Sequence, residues 1–177
     1  MSDKQMQLEM LMDEFGVEGD YVEEVKTVTI PDDYLITNIT ELYDGDIIEG
    51  KPELSDIITS EFENDDGEKE ISHRVELGVV NDTDEEVTII RINLKSGDDI
   101  QKNVHAKSKL FLLVKGLMEM KCGAGCFDQY NRLKSISIDK IQSMVNDLDF
   151  IKMKVKEESA GTFEYNSFVV LNPELDG

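Results

Sequence analysis

The residues best suited to chemistry lie near the C-terminal end of the sequence, where lysines alternate with apolar residues. The lysines are Lys152, Lys154 and Lys156, and the apolar residues are Ile151, Met153 and Val155. Because alternate side chains of a β-strand point to one face, the three lysines should form a row spaced at about 7 Å. Such a row can contact successive phosphates of an extended nucleic acid strand. The same pattern is also typical of a solvent-facing strand, where lysine blocks aggregation.

Aromatic residues next to this row could stack on bases. Phe150 precedes the first lysine, and Phe163 and Tyr165 belong to the strand that should pair with the row. An aromatic ring beside a basic row is a stacking platform for single-stranded nucleic acid. Further cations are expected on a neighbouring strand and on a helix. The candidate nucleic-acid-binding residues are therefore Arg91, Lys95, Lys107, Lys109, Phe150, Lys152, Lys154, Lys156 and Tyr165.

Other patterns that could hold a ligand are incomplete. Cys122 and Cys126 are spaced C-x3-C, but a structural zinc site wants four ligands. The two histidines, His73 and His105, lie far from these cysteines in the sequence, so we expect two ordinary thiols. The acidic stretch 61–70 lacks the register of a calcium loop. With no recognisable catalytic motif, the sequence predicts no metal, no cofactor and no enzymatic activity.

The charge of the chain is divided along its length. Residues 1–90 contain 27 Asp and Glu against 5 Lys and Arg, whereas residues 91–157 contain 8 acids and 13 bases. The last 20 residues have a net charge of -4, and the whole chain has a net charge of -21. The second segment could bind a polyanion, and the first could compete with that polyanion or dock on a basic protein. Alternatively, the acids form a solvated surface.

The first part of the chain combines a helix with short strands. The pattern at 3–15 predicts a helix that ends at two glycines, so residues 1–24 form an acidic helical arm that either packs on the body or docks on a partner. β-branched residues at 25–30 predict a leading strand, with further strand pieces at 34–39 and 46–48. Residues 50–70 are rich in Gly, Pro and acids, and predict a long exposed acidic loop with one helical turn near 54–59.

The rest of the chain alternates between strands and helices. Two strands at 71–79 and 87–94 form a hairpin around the turn Asn81–Asp84. The spacing at 106–120 predicts a helix that ends at KCGAGC, and Ser137 caps a short helix that reaches Val145. Strands at 150–156 and 163–171 form a second hairpin, which ends at Pro173 before a short acidic tail at 174–177.

This order predicts an α+β fold, mainly β, with an OB-like five-stranded barrel over 25–173 and a helix between its third and fourth strands. The segments KSKLFLLVKGL, ISIDKIQSMVNDLDFIKMKVKEES and GTFEYNSFVVLNPE carry a resemblance. Over roughly 70–173 the chain resembles phage-encoded single-stranded-DNA-binding proteins of the OB type. The resemblance implies a DNA-binding protein acting in phage or mobile-element replication or recombination. The strands at 71–94 depart from it, because they contain no aromatic residue.

Two other functions fit the same composition. The chain could be a virion structural, assembly or adaptor protein, or an acidic mimic of DNA that inhibits a host nucleic-acid enzyme. The apolar runs are too short to span a bilayer, and the N-terminal residues do not resemble a secretory signal. We therefore expect a protein of the host cytoplasm without a membrane partner. Its expected partner is single-stranded nucleic acid, with a basic protein on the 1–90 region as an alternative, and the sequence leaves its oligomeric state open.

Overall fold

The computed structural model of the protein describes residues 3–17 and 25–171. Within them, the helices are α1 (Asp3–Glu14), α2 (Lys109–Cys122) and α3 (Ile138–Asn146), with a single 3-10 turn at Ile39–Glu41. The strands are β1 (Leu35–Asn38), β2 (Ile47–Leu54), β3 (Ile58–Glu63), β4 (Lys69–Asn81), β5 (Glu86–Leu94), β6 (Ile100–His105), β7 (Arg132–Ser137), β8 (Ile151–Ala160) and β9 (Phe163–Leu171). The predicted α+β class is therefore confirmed.

Seven of these strands form one mixed sheet that curls into a half-barrel. The strand order is β1-β5-β4-β2-β8-β9, and β3 pairs with the first half of β4. β1 runs parallel to β5, whereas the other pairs are antiparallel. β6 and β7 form a separate two-stranded ribbon.

The curl is centred on β2, which changes partner halfway along its length. Residues 47–50 pair with β8, and residues 51–54 pair with β4. Gly50 lies at the change and has φ +150, where a Cβ would be 2.1 Å from the carbonyl oxygen of Val80. Only glycine allows two strands to approach so closely at a positive φ. This glycine therefore permits one strand to belong to both halves of the sheet.

Alternating apolar residues on the concave side of the sheet form the core. They include Val75, Leu77, Val79, Ile90, Ile92, Met153, Val155 and Phe168, all at most 1% exposed. Helix α2 packs against this side, and Gly116 brings it so close to β9 that a Cβ there would be 2.4 Å from Val170. Ser108 caps the start of α2 by accepting a hydrogen bond from Phe111 N at 3.1 Å. The close packing of Gly116 against Val170 determines where the first turn of α2 lies beside the β8–β9 hairpin.

Several elements match the predictions from the sequence. The helix at the start of the chain, the β4–β5 hairpin, α2, α3 and the β8–β9 hairpin all lie close to their predicted positions. Ser137 caps α3 as predicted, by accepting a hydrogen bond from Lys140 N at 3.3 Å. Leu8 and Leu11 of α1 are exposed, as is Phe15 directly after the helix. Predictions for residues 18–24 and for the tail at 174–177 lie outside the described residues.

Other predictions were wrong. Residues 50–70 are not a long loop, because they contain the second half of β2, all of β3 and the start of β4. No helical turn forms near 54–59, where the chain passes from β2 to β3. Residues 25–30 lie outside any regular element, so the first strand of the sheet in chain order is β1, which begins at Leu35. The ribbon strands β6 and β7 have no counterpart in the predicted series.

Candidate nucleic-acid interface

The β8–β9 hairpin presents the predicted lysine row on its outer face. Ile151, Met153 and Val155 are buried, whereas Lys154 and Lys156 are exposed and Lys152 is half-buried. Lys152 is paired in register with Glu49 of β2, and the Lys156 ammonium lies 3.6 Å from the Glu158 carboxylate. An exposed ion pair of this kind contributes little energy, so it leaves Lys156 available to a phosphate. The predicted alternation is confirmed, and Lys154 and Lys156 are its exposed members.

Two aromatic rings lie on the same face near the turn of the hairpin. The rings of Phe163 and Tyr165, here called the aromatic pair, are 6.3 Å apart between centroids with an interplanar angle of 18°. Phe163 is 66% exposed. Tyr165 is paired in register with Glu158, two residues beyond Lys156 on β8. The aromatic pair therefore lies directly next to the end of the lysine row.

Lys109 completes this cluster from another element. It is the first residue of α2, and its ammonium nitrogen lies 5.7 Å from the centroid of the Tyr165 ring. This is within the range of a cation–π interaction. Burial lowers the pKa of Lys109, because a partly desolvated ammonium is less stable in its charged form. A phosphate bound nearby would replace the lost solvation.

The pocket beside this cluster also contains acids. It has a volume of about 370 Å³ and is lined by Thr40, Lys109, Glu157, Phe163, Glu164, Tyr165 and Asn166. A hydrogen bond with Glu164, together with the negative charges of Glu164 and Asp44, raises the pKa of Glu157. Two carboxylates that share a site resist simultaneous ionisation. The local charge is therefore mixed and depends on pH.

The structure places the other predicted basic residues elsewhere. Arg91 lies on the outer face of β5, where its register partner on β4 is Glu76. Lys95 follows β5, and its ammonium donates a hydrogen bond to the carbonyl oxygen of Asn103 on β6. Lys107 is exposed in the turn that precedes α2. Arg91 is thus separated from the lysine row by β4 and β2, whereas Lys95 and Lys107 lie near the β6–β7 ribbon.

Phe150 lies at the opposite end of the hairpin from the aromatic pair. It precedes β8, whereas Tyr165 is paired in register with a residue near the far end of that strand. The groove beside Phe150 has a volume of about 400 Å³, and its lining includes the acids Glu49, Asp82, Asp84 and Asp149. A phosphate would be repelled there, so we do not include Phe150 in the interface.

The outer face of β4 is covered by residues 25–30 of the same chain, here called the strap. Val28 is buried against it, and a Cβ on Gly78 would be 2.3 Å from Val28 Cγ1. Thr29 N donates a hydrogen bond to the Glu53 carboxylate at 3.1 Å, and the main chains of Lys26 and Asp56 are also hydrogen-bonded. This part of the sheet surface is therefore not available to a ligand.

The cations of the two-stranded ribbon are not among the residues predicted from the sequence. Lys102 on β6 and Arg132 and Lys134 on β7 are exposed, and His105 is paired in register with Arg132. Neither strand contains an acid. The signal was available in the segments IQKNVH and RLKSIS, which combine basic residues with an absence of Asp and Glu in a very acidic chain. These segments were not recognised as strands because their apolar residues alternate only weakly.

The cysteines differ from the expectation of two ordinary thiols. Cys122 and Cys126 form a disulfide that closes the loop after α2. This loop starts at Gly123, whose φ of +98 ends the helix. Within residues 3–17 and 25–171, no helix is long and apolar enough to cross a membrane.

Comparisons with protein-family models, with curated proteins and with solved structures gave no match to this chain.

Proposed function

We propose that the protein binds single-stranded DNA through the β8–β9 hairpin, in the replication or recombination of a phage or mobile element. The observation that carries the proposal is the aromatic pair, which lies between the Lys109 ammonium and the lysine row. Stacked rings bind bases of any sequence, and neighbouring lysines bind the phosphates between those bases. Both requirements of single-strand binding are present on one continuous surface.

The pairing of five strands supports the same function. β2 pairs with β4 along one half and with β8 along the other, while β4 continues into β5 and β8 into β9. An OB-type barrel has these pairings, with a helix between the third and fourth strands. In such barrels the loop between the fourth and fifth strands contacts oligonucleotides. The corresponding connection here is the β8–β9 turn, which is next to the aromatic pair.

The proposed interface differs from that of a typical OB protein in one respect. The face of the second and third strands usually takes part in oligonucleotide binding. Here the strap covers β4 at Gly78, and the next outward residue, Glu76, forms an ion pair with Arg74 at 3.0 Å. Binding is therefore shifted to the hairpin end of the sheet.

The test is fluorescence anisotropy of labelled oligo-dT at increasing salt. The row variant K152Q/K154Q/K156Q is compared with the control K69Q/K121Q/K140Q, whose lysines are exposed elsewhere. Both variants lose three positive charges. If each row lysine contacts one phosphate, the salt slope of the row variant should fall by about 2, at about 0.7 per contact on a single strand. Wild-type protein that does not bind oligo-dT in low salt would refute the proposal, as would equal slopes for the two variants.

A further inference from the structure

The two-stranded ribbon of β6 and β7 has a charge opposite to that of the chain as a whole. Lys102, Arg132 and Lys134 lie on it, together with His105, and its two six-residue strands contain no acid. The chain has a net charge of -21. Within the part of the chain that the structure describes, none of the three cations forms an ion pair. Three uncompensated cations on one small element are available to an anionic partner.

The ribbon is firmly held on the body of the protein. Three side chains of the ribbon strands are buried, namely Gln101, Val104 and Ile136. The buried amide of Gln101 donates to the carbonyl oxygens of Ser96 and Asp98, at 2.9 and 2.7 Å, and accepts from Lys95 N at 3.1 Å. A rigid base means that little conformational entropy is lost when the exposed cations bind a ligand.

The ribbon is connected to the hairpin interface through the start of α2. Where the ribbon ends, Ala106 N donates a hydrogen bond to the Asn131 carbonyl at 3.1 Å, which holds both chain segments together. Lys107 follows directly, and Lys109 is the residue whose ammonium lies over the Tyr165 ring. Basic residues therefore extend from β7 past the start of α2 to the aromatic pair, along a path that we call the basic track.

An aromatic residue is also present at the ribbon end of the track. Tyr130 is 57% exposed and precedes Arg132 by two residues. Its ring lies 5.2 Å from that of Phe127, which in turn contacts Phe111 of α2 at 5.5 Å. A ring that is anchored on one side and open on the other can stack on a base. This feature favours nucleic acid over an acidic protein segment, which needs only the cations.

We propose that the basic ribbon is a second contact surface for single-stranded nucleic acid, on which Lys102, Arg132 and Lys134 bind phosphates and Tyr130 stacks on a base. The inference rests on the proposed function, because it extends the strand from the hairpin to the ribbon. A short oligonucleotide would occupy only the hairpin. A longer one would reach both surfaces, within the range of about 4 to 16 nucleotides that a single OB-type domain covers.

The experiment therefore varies both the protein and the oligonucleotide length. The ribbon variant K102Q/R132Q/K134Q and the control K69Q/K121Q/K140Q lose the same charge from exposed positions. Anisotropy is measured with labelled dT oligonucleotides of about 6 and about 16 nucleotides. For the longer one, the salt slope of the ribbon variant should be lower than that of the control by about 2. The ratio of the control's affinity to that of the ribbon variant should therefore fall about 18-fold between 50 and 200 mM salt.

For the shorter oligonucleotide, the ribbon variant and the control should have equal affinities and equal salt slopes. An equal loss of affinity for both oligonucleotides, or no difference from the control with either, would overturn the ribbon proposal. Both results are compatible with binding of oligo-dT by the wild-type protein. If the wild-type protein binds neither oligonucleotide, the proposed function itself fails. The ribbon variant could instead change its self-association without losing affinity for the longer oligonucleotide. That result would show that the ribbon binds an acidic surface of a second copy of the chain, and it would overturn the proposal.

Discussion

The most direct test of the hairpin interface is removal of the Phe163 ring. This ring is 66% exposed, whereas Tyr165 is partly covered by Lys109, so Phe163 offers the larger open face to a base. Base–aromatic stacking contributes about 1 to 3 kcal/mol per base. The substitution F163A should therefore weaken oligo-dT binding by about 5- to 150-fold, since 1.4 kcal/mol corresponds to a factor of ten.

Two comparisons separate stacking from other causes of this loss. F163L keeps an apolar side chain without a π face, so it should lose most of the affinity as well. F62A removes another exposed phenylalanine, located on β3 in the acidic part of the sheet, and should bind as tightly as wild type. Thermal midpoints of the three variants should be similar, because neither ring is in the core.

The salt dependence provides the signature of the mechanism. F163A removes no charge, so its salt slope should equal that of wild type although its affinity is lower. K109Q removes one cation beside the same ring, and its slope should fall by about 0.7 if it contacts one phosphate. Anisotropy titrations from 50 to 300 mM salt measure both quantities. An affinity of F163A within twofold of F62A would refute the stacking argument.

Three further predictions concern stability and pH. S167A should raise the free energy of unfolding in urea by about 1 kcal/mol, because the buried Ser167 hydroxyl has no hydrogen-bond partner among the described residues. G78A should lower it by about 1 to 3 kcal/mol through overpacking against Val28, V28A should restore part of the loss, and oligo-dT affinity should stay unchanged. The pKa of Glu157 is raised, so the folded protein favours the protonated form of this carboxyl. The contribution of Glu157 to the free energy of unfolding should therefore be present at low pH and be lost as pH rises through that pKa. Oligo-dT affinity should likewise increase as pH falls through it, and the variant E157Q/E164Q should show a weaker pH dependence in the same titration.

Local periodicity explains which elements could be predicted. β8 alternates lysine with buried apolar residues without interruption, so its lysine row followed directly from the sequence. In contrast, β6 has a positive φ of 55 at Asn103, and the buried residues Gln101 and Val104 are three positions apart. The register with β7 continues through Asn103 without an extra residue, but the left-handed backbone there turns the side chains that follow and breaks the two-residue period on which strand prediction depends. The ribbon and its cations were missed for that reason.

Pro52 makes β2 difficult to recognise from the sequence. Pro52 normally argues against a strand, because it cannot donate a hydrogen bond to a neighbour. At this point, however, β2 has left β8, and its free edge faces α3. Leu54 N, two residues later on the same edge, donates to the Asn146 side chain at 2.8 Å instead of to a strand. Pro52 therefore occupies an edge position where no donor is required, and only the tertiary structure reveals it.

The contact between Lys109 and Tyr165 could not be predicted for a related reason. The two residues are distant in sequence and meet because Gly116 lets α2 approach Val170 of β9. This packing is a property of two surfaces and leaves no local pattern in either segment. The candidate residues on β8 could be identified from the sequence, whereas their arrangement with α2 and with the ribbon depended on the structure.

The net charge of -21 can be reconciled with binding of a polyanion through the range of electrostatic forces. At physiological ionic strength, charges on the surface are screened beyond about 8 Å. A phosphate on the basic track would therefore be influenced mainly by the cations around it. The acids of the β3–β4 extension, including Glu61, Glu63 and Glu70, lie on strands separated from β8 by β2. They would affect a phosphate on β8 weakly, whereas Glu157, Glu158 and Glu164 near the hairpin turn would affect it strongly. The acids that limit binding are thus the few beside the aromatic pair, and the acidic first half of the chain remains free to address another partner.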